Sequence, residues 1–172
     1  DAEPLADYLG EIMTPLMAPL ATVPLDVFHF HKAEVKTNWK LWQDNNSERY
    51  HSLLHAINRK TMPWVTGKTS PMQLRLHDNG HSGYWSDGAA TVDYAAGGYA
   101  GGTDGPLPGM RTDEMRVINL FPDTMVNIRS NVIRIDRMVP LAPGRTMVEW
   151  RGLGAAANSD GMRAEQLRHH NM

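Results

Sequence analysis

The chain reads as an α+β domain, and three features lead there. From Met115 onward four segments, Met115 to Leu120, Met125 to Ser130, Val132 to Val139 and Thr146 to Leu153, carry β-branched and apolar residues in the pattern of strands. The last two are joined across Pro143-Gly144, a turn pair that folds consecutive strands back on each other. Ser47 to Ile57, by contrast, has its apolar residues at helical spacing. A curved antiparallel sheet with helices set against it is the α+β solution to burying both kinds of element.

The remaining elements follow in order. Pro15, Pro19 and Pro24 limit the opening segment to one short helix around Leu5 to Met13, so Pro4 to Pro24 is expected to be a lead-in. Between Val27 and Thr37, His31, Ala33 and Val35 alternate with Lys32, Glu34 and Lys36, the pattern of a strand with one wet face. The helix from Ser47 to Ile57 puts His51 and His55 on one stripe, turns Leu54 and Ile57 toward a core, and meets stop signals at Arg59, Lys60 and Pro63. Asp44 is expected to cap it from Asn45 onward. Met72 to His77 and Gly83 to Ser86 read as short strands. Ala95 to Gly109, rich in Gly and Pro, reads as a loop, either a solvated connection or a lid. Gly161 to Met172 begins another helix with Arg163, Glu165 and Arg168 exposed.

Composition narrows the function. The 172 residues suit a single domain, 1–172, and 17 Lys plus Arg against 19 Asp plus Glu leave no basic stripe to neutralise phosphates, which argues against nucleic acid. No apolar run approaches the roughly 20 residues of a spanning helix, and Asp1-Ala2-Glu3 is unlike the start of a secretory signal, so no membrane and a cytoplasmic location are expected. The lack of Cys excludes a disulfide framework and an iron–sulfur cluster held by thiolates of these residues.

The chemistry concentrates in Asn38 to His55. His51 and His55, four residues apart, can aim two imidazoles at one point from the face of a helix. Imidazole is the commonest metal ligand, and two with a carboxylate form the set that holds non-haem Fe(II) with positions left open. Glu48 supplies a carboxylate one turn earlier. A zinc peptidase would need Glu directly after the first His, where Ser52 stands. The adjacent pair in Arg168-His169-His170 diverges by about 100 degrees on a helix and reads as surface or interface.

Asn38-Trp39-Lys40-Leu41, Asp44-Asn45, Glu48, Tyr50-His51 and His55 together resemble the mononuclear-iron segment of the Rieske non-haem iron oxygenase alpha subunits, the ring-hydroxylating dioxygenases and their monooxygenase relatives. Leu120-Phe121-Pro122-Asp123-Thr124-Met125-Val126-Asn127 and Pro140-Leu141-Ala142-Pro143-Gly144-Arg145-Thr146 resemble a strand start and a hairpin of the same catalytic domain. Trp150-Arg151-Gly152-Leu153-Gly154 with Arg168-His169-His170-Asn171 is similar to alpha subunits of the methanesulfonate monooxygenase type. The resemblance implies a helix-grip (Bet v1-like, START-like) fold and mononuclear Fe(II) held by His51 and His55. It also implies that Glu48 bridges toward the cluster of a neighbouring subunit, and that Asn45 and Tyr50 orient groups around the iron. Two details depart from the family pattern: the two His are usually five residues apart, and the bridging residue is usually Asp.

The family's third ligand is an Asp on the long helix after the last strand, expected beyond Met172; Asp160 reads as an N-cap of the Asn158-Ser159-Asp160 turn. The chain is accordingly expected to be part of a longer subunit, a partial catalytic domain without the Rieske 2Fe-2S domain or the end of its helix, and inactive alone. The implied partners are O2, a small organic substrate, ferredoxin or reductase electron donors, and other subunits in a homotrimer or an alpha-beta hetero-oligomer. The competing expectation is a helix-grip domain that binds an apolar ligand without metal.

Overall fold

The computed structural model describes residues 3–48, 73–85, 105–112 and 114–170. Helices α1 (Leu5–Leu9) and α2 (Thr14–Ala21), joined by a 3-10 turn over Gly10–Met13, lead into β1 (Leu25–Val35) and α3 (Trp39–Ser47). Strands β2 (Gln73–Leu76), β3 (Ser82–Trp85), β4 (Met115–Leu120), β5 (Thr124–Arg129), β6 (Val132–Ala142) and β7 (Arg145–Ala155) follow, and helix α4 (Asp160–His170) comes after them. The seven strands form one antiparallel sheet in the order β1-β7-β6-β5-β4-β3-β2. β4 to β7 is a meander of neighbours, and β1 closes the far edge against β7, with Leu25 opposite Ala155 and Val35 opposite Thr146.

Both faces of the central strands are covered, and buried apolar residues stand on each of them. On one face Ile118, Val126, Ile128 and Ile133 pack with Trp85, Leu107 and Met110 against Ile12 and Leu16 of the N-terminal helices. On the other, Val117, Met125, Val132, Met138 and Val148 are buried, as is Met162 of α4. The register fixes this second set as one face: Val117, Asn127, Arg134 and Gly152 stand opposite one another across β4 to β7. This is the helix-facing side, because α3 and α4 both lie on it.

The opening segment is no lead-in. Ile12 and Leu16 are fully buried, and Thr14–Ala21 is helical although Pro19 lies inside it. Pro19 has no N–H to give the carbonyl of Pro15, which would be its partner in a helix. The Arg116 guanidinium donates to that carbonyl instead at 2.6 Å, while its other nitrogens hold Gly109 O at 2.6 Å and Glu114 Oε1 at 2.7 Å. His81, also buried, takes the Phe121 N–H on Nδ1 at 3.0 Å and donates from Nε2 to Tyr8 O at 3.1 Å, fastening α1 to the β4–β5 turn.

Further expectations are corrected at the helix caps and the strand ends. α3 is capped by Asn38, whose Oδ1 accepts from Lys40 N at 2.9 Å, and Asp44 is an exposed mid-helix residue. α3 ends at Ser47, with Glu48 extended at φ −118 and ψ 166, and the rest of the expected Ser47–Ile57 helix lies outside the described residues. Ser159 rather than Asp160 caps α4, accepting from Met162 N at 3.2 Å, and Arg163 and Glu165 of that helix are half-buried rather than exposed. The strand from Val132 also extends past Val139 to Ala142.

Candidate active site

α3 is positioned by contacts that join the separate sequence motifs. At its start, Asn38 Nδ2 donates to Pro143 O at 2.8 Å, and Thr146 Oγ1 to Thr37 O at 2.9 Å, so the β6–β7 hairpin grips the junction between β1 and the helix. The hairpin is in turn tied to β1 by Arg145, which makes paired bonds of 2.7 and 2.8 Å to Glu34 and holds that carboxyl below its ordinary value. In mid-helix Trp42 meets Trp150 edge-on at 5.9 Å, and Trp150 stacks on His31 at 5.4 Å. At its end the fully buried Asn119 donates from Nδ2 to Asn46 O at 3.2 Å. That carbonyl belongs to the last turn, where helix oxygens lack intrahelical partners.

The last turn of α3 delivers Glu48, half-buried and extended, to the segment that follows. Asn45 is exposed on α3 and borders an open groove of about 390 Å³ with Val35, Lys36, Thr37, Leu41 and Trp42. Tyr50, His51 and His55 lie outside the described residues, as do most of the Ala95–Gly109 loop and the side chains of Arg168, His169 and His170. Among the described residues no group of three or more His, Cys, Asp or Glu could hold a metal ion.

One set of residues escaped sequence reasoning. On the helix-facing side of the central strands stand Asn119, Asn127, Arg129, Arg134 and Asp136. Asp136 is completely buried and receives paired bonds from Arg134 at 2.9 and 2.8 Å; Arg129 Nε donates to Asn127 Oδ1 at 3.1 Å. Burial pushes the Asp136 carboxyl up, opposed by Arg134 and then by Arg129. The signal was present as polar residues at period two in Asn127-Ile128-Arg129 and Arg134-Ile135-Asp136, but such spacing reads equally as a solvated face.

Residues 24–171 match the family model of the ring hydroxylating alpha subunit (catalytic domain). The chain belongs to this family. It is one of non-haem iron oxygenases that carry a Rieske cluster, and its catalytic domains have the helix-grip fold seen in this sheet and its helices. The 2-aminobenzenesulfonate 2,3-dioxygenase subunit alpha of Alcaligenes sp is 36% identical over 168 residues, covering 96% of this chain and 42% of that subunit. The methanesulfonate monooxygenase hydroxylase subunit alpha of Methylosulfonomonas methylovora is 34% identical over 168 residues, covering 97% and 39%. The chain thus spans about two fifths of the length of these curated relatives. Among solved structures, the quaternary ammonium Rieske monooxygenase CntA in complex with L-carnitine superposes with a TM-score of 0.69 at 15% identity, over 99% of this chain and 41% of that one. No helix among the described residues is long and apolar enough to cross a membrane.

Proposed function

We propose that the chain supplies the mononuclear-iron catalytic domain of a Rieske-type oxygenase that hydroxylates or dihydroxylates a small organic sulfonate. The observation that carries this reading is 34–36% identity, over nearly the whole chain, with two alpha subunits named for sulfonate substrates. His51 and His55 would hold the Fe(II), and the donor chemistry fits: two imidazoles with a carboxylate are the set that leaves coordination positions open. Such an ion supplies activation of O2 when bound. The chain's own residues do the positioning. Asn119 and the hairpin contacts of Asn38 and Thr146 hold α3 on the helix-facing side of the sheet, and Glu48 follows directly at its end. Glu48 acts as the hydrogen-bonding bridge toward the electron-donating cluster of a neighbouring subunit, while Asn45 and Tyr50 orient polar groups about the ligands. In the whole protein, electrons would come from a ferredoxin or reductase through the Rieske 2Fe-2S cluster, within a homotrimer or an alpha-beta hetero-oligomer in the cytoplasm.

The test is an anaerobic Fe(II) titration of the chain beside His51→Ala. Wild type is expected to take up one ion with an affinity at least tenfold that of the variant. Equal uptake by the two would remove the metal centre and favour a domain that binds an apolar ligand in the same grip.

A further inference from the structure

On the helix-facing side of β4 to β7 the ionised side chains are two guanidiniums and one carboxylate, Arg129, Arg134 and Asp136. Their place relative to the two helices follows from the register. α3 crosses the sheet at the row containing Asn119, Met125, Asp136 and Trp150, through Asn119 to Asn46 and Trp150 to Trp42. α4 is seated further along, where Gln166 Nε2 donates to Asn131 O at 2.8 Å and a Cβ on Gly154 would stand 2.5 Å from Gln166. The row Asn127, Arg134 and Gly152 lies between these two lines of contact. Gly152 puts no side chain beside Arg134, whose own side chain keeps about a quarter of its surface accessible.

We propose that Arg134, held in place by Asp136, binds the anionic oxygens of the substrate's sulfonate between α3 and α4. This rests on the oxygenase reading above and names the residue that would select its substrate class. The chemistry is suited to it. Asp136 engages Nε and one hydrogen of Nη2, so three of the five guanidinium hydrogens remain for an oxyanion. A guanidinium fork matches a pair of sulfonate oxygens. Arg134 is a specificity-determining residue in this scheme and Asp136 a positioning one.

Isothermal titration of the chain with benzenesulfonate and with benzenesulfonamide, its uncharged near-isostere, tests the idea without turnover. Wild type is expected to bind benzenesulfonate at least tenfold more tightly than the sulfonamide. Arg134→Gln is expected to abolish that preference while leaving sulfonamide binding within twofold, and Arg134→Lys to retain part of it. Because Arg134→Gln strands a buried carboxylate, the double variant R134Q/D136N, which removes both charges, is measured beside it and must show the same loss. No sulfonate binding to folded wild type, or an unchanged preference in both glutamine variants, overturns the proposal. Iron uptake by wild type and His51→Ala is scored separately, so an intact metal response with an indifferent Arg134 discards the sulfonate site and leaves the oxygenase reading standing.

Discussion

Asn119 is the residue whose removal most directly tests how the sheet positions α3. It is fully buried on β4, donates to Asn46 O at 3.2 Å and stands 3.4 Å from Ser82 Oγ. Asn119→Ala removes the donor and leaves a last-turn carbonyl of α3 unpaired away from water, a loss of about 1–3 kcal/mol. In a domain of this size each kcal/mol lowers the melting temperature by about 2–4 °C, so a fall of roughly 2–12 °C is expected. Asn119→Asp keeps the shape but replaces the donor with acceptors facing a carbonyl, and it should cost at least as much at neutral pH. Urea unfolding gives the global figure. Amide exchange gives the local one, and protection of Gln43 to Ser47 should fall by more than that of β6 and β7. If both variants unfold within about 0.5 kcal/mol of wild type, the ordinary range for inconsequential surface changes, Asn119 does not anchor the helix. The bond to Asn46 would then be incidental.

Two other perturbations probe the neighbouring elements. In Gly154→Ala the new Cβ would lie 2.5 and 2.7 Å from the amide of Gln166 and 2.9 Å from Arg163, atoms already bonded to Asn131 O and to each other; a loss of about 1–3 kcal/mol is expected in denaturant unfolding, and an unchanged midpoint would show that α4 is loosely seated. Asp136 has its pKa raised in the folded state by burial, so its share of stability is full below the ordinary aspartate range and declines as pH rises through the raised value. The stability of wild type minus that of Asp136→Asn should therefore fall with rising pH across the acid range and then level off; a difference that grows with pH would refute the assignment.

How much of this was legible in the sequence depended on whether local or distant atoms decided the outcome. The four C-terminal strands lie close to their expected bounds because turn residues and apolar spacing act over a few residues; Met115–Leu120 agrees at both ends. α2 was hidden because Pro19 lies inside it, and the carbonyl the proline cannot serve is taken by Arg116, about a hundred positions away. The choice between Asn38 and Asp44 as cap was likewise undecidable locally, since both types cap helices. Pro143 and Thr146, on a hairpin far along the chain, decide it. The motifs of the candidate site were readable as residue types, and α3 joins three of them in space. What the sequence did not reveal was the polar strip from Asn119 to Asp136, because a period-two pattern states that residues share a face and not what covers it.

That strip bears on why the domain keeps a charge in its interior at all. Replacing a buried ion pair with well-packed apolar residues is often neutral or stabilising, so the Arg134–Asp136 pair is poorly explained as a device for stability. The asymmetry between its members points the same way. Asp136 is entirely covered whereas Arg134 keeps about a quarter of its side chain accessible, the arrangement expected if the carboxylate serves to fix a guanidinium that stays partly open. A pair selected for cohesion would bury both ends and satisfy every donor. Here the desolvation falls on Asp136, and what it yields is one oriented cation between the helix that leads to His51 and the helix that follows the last strand.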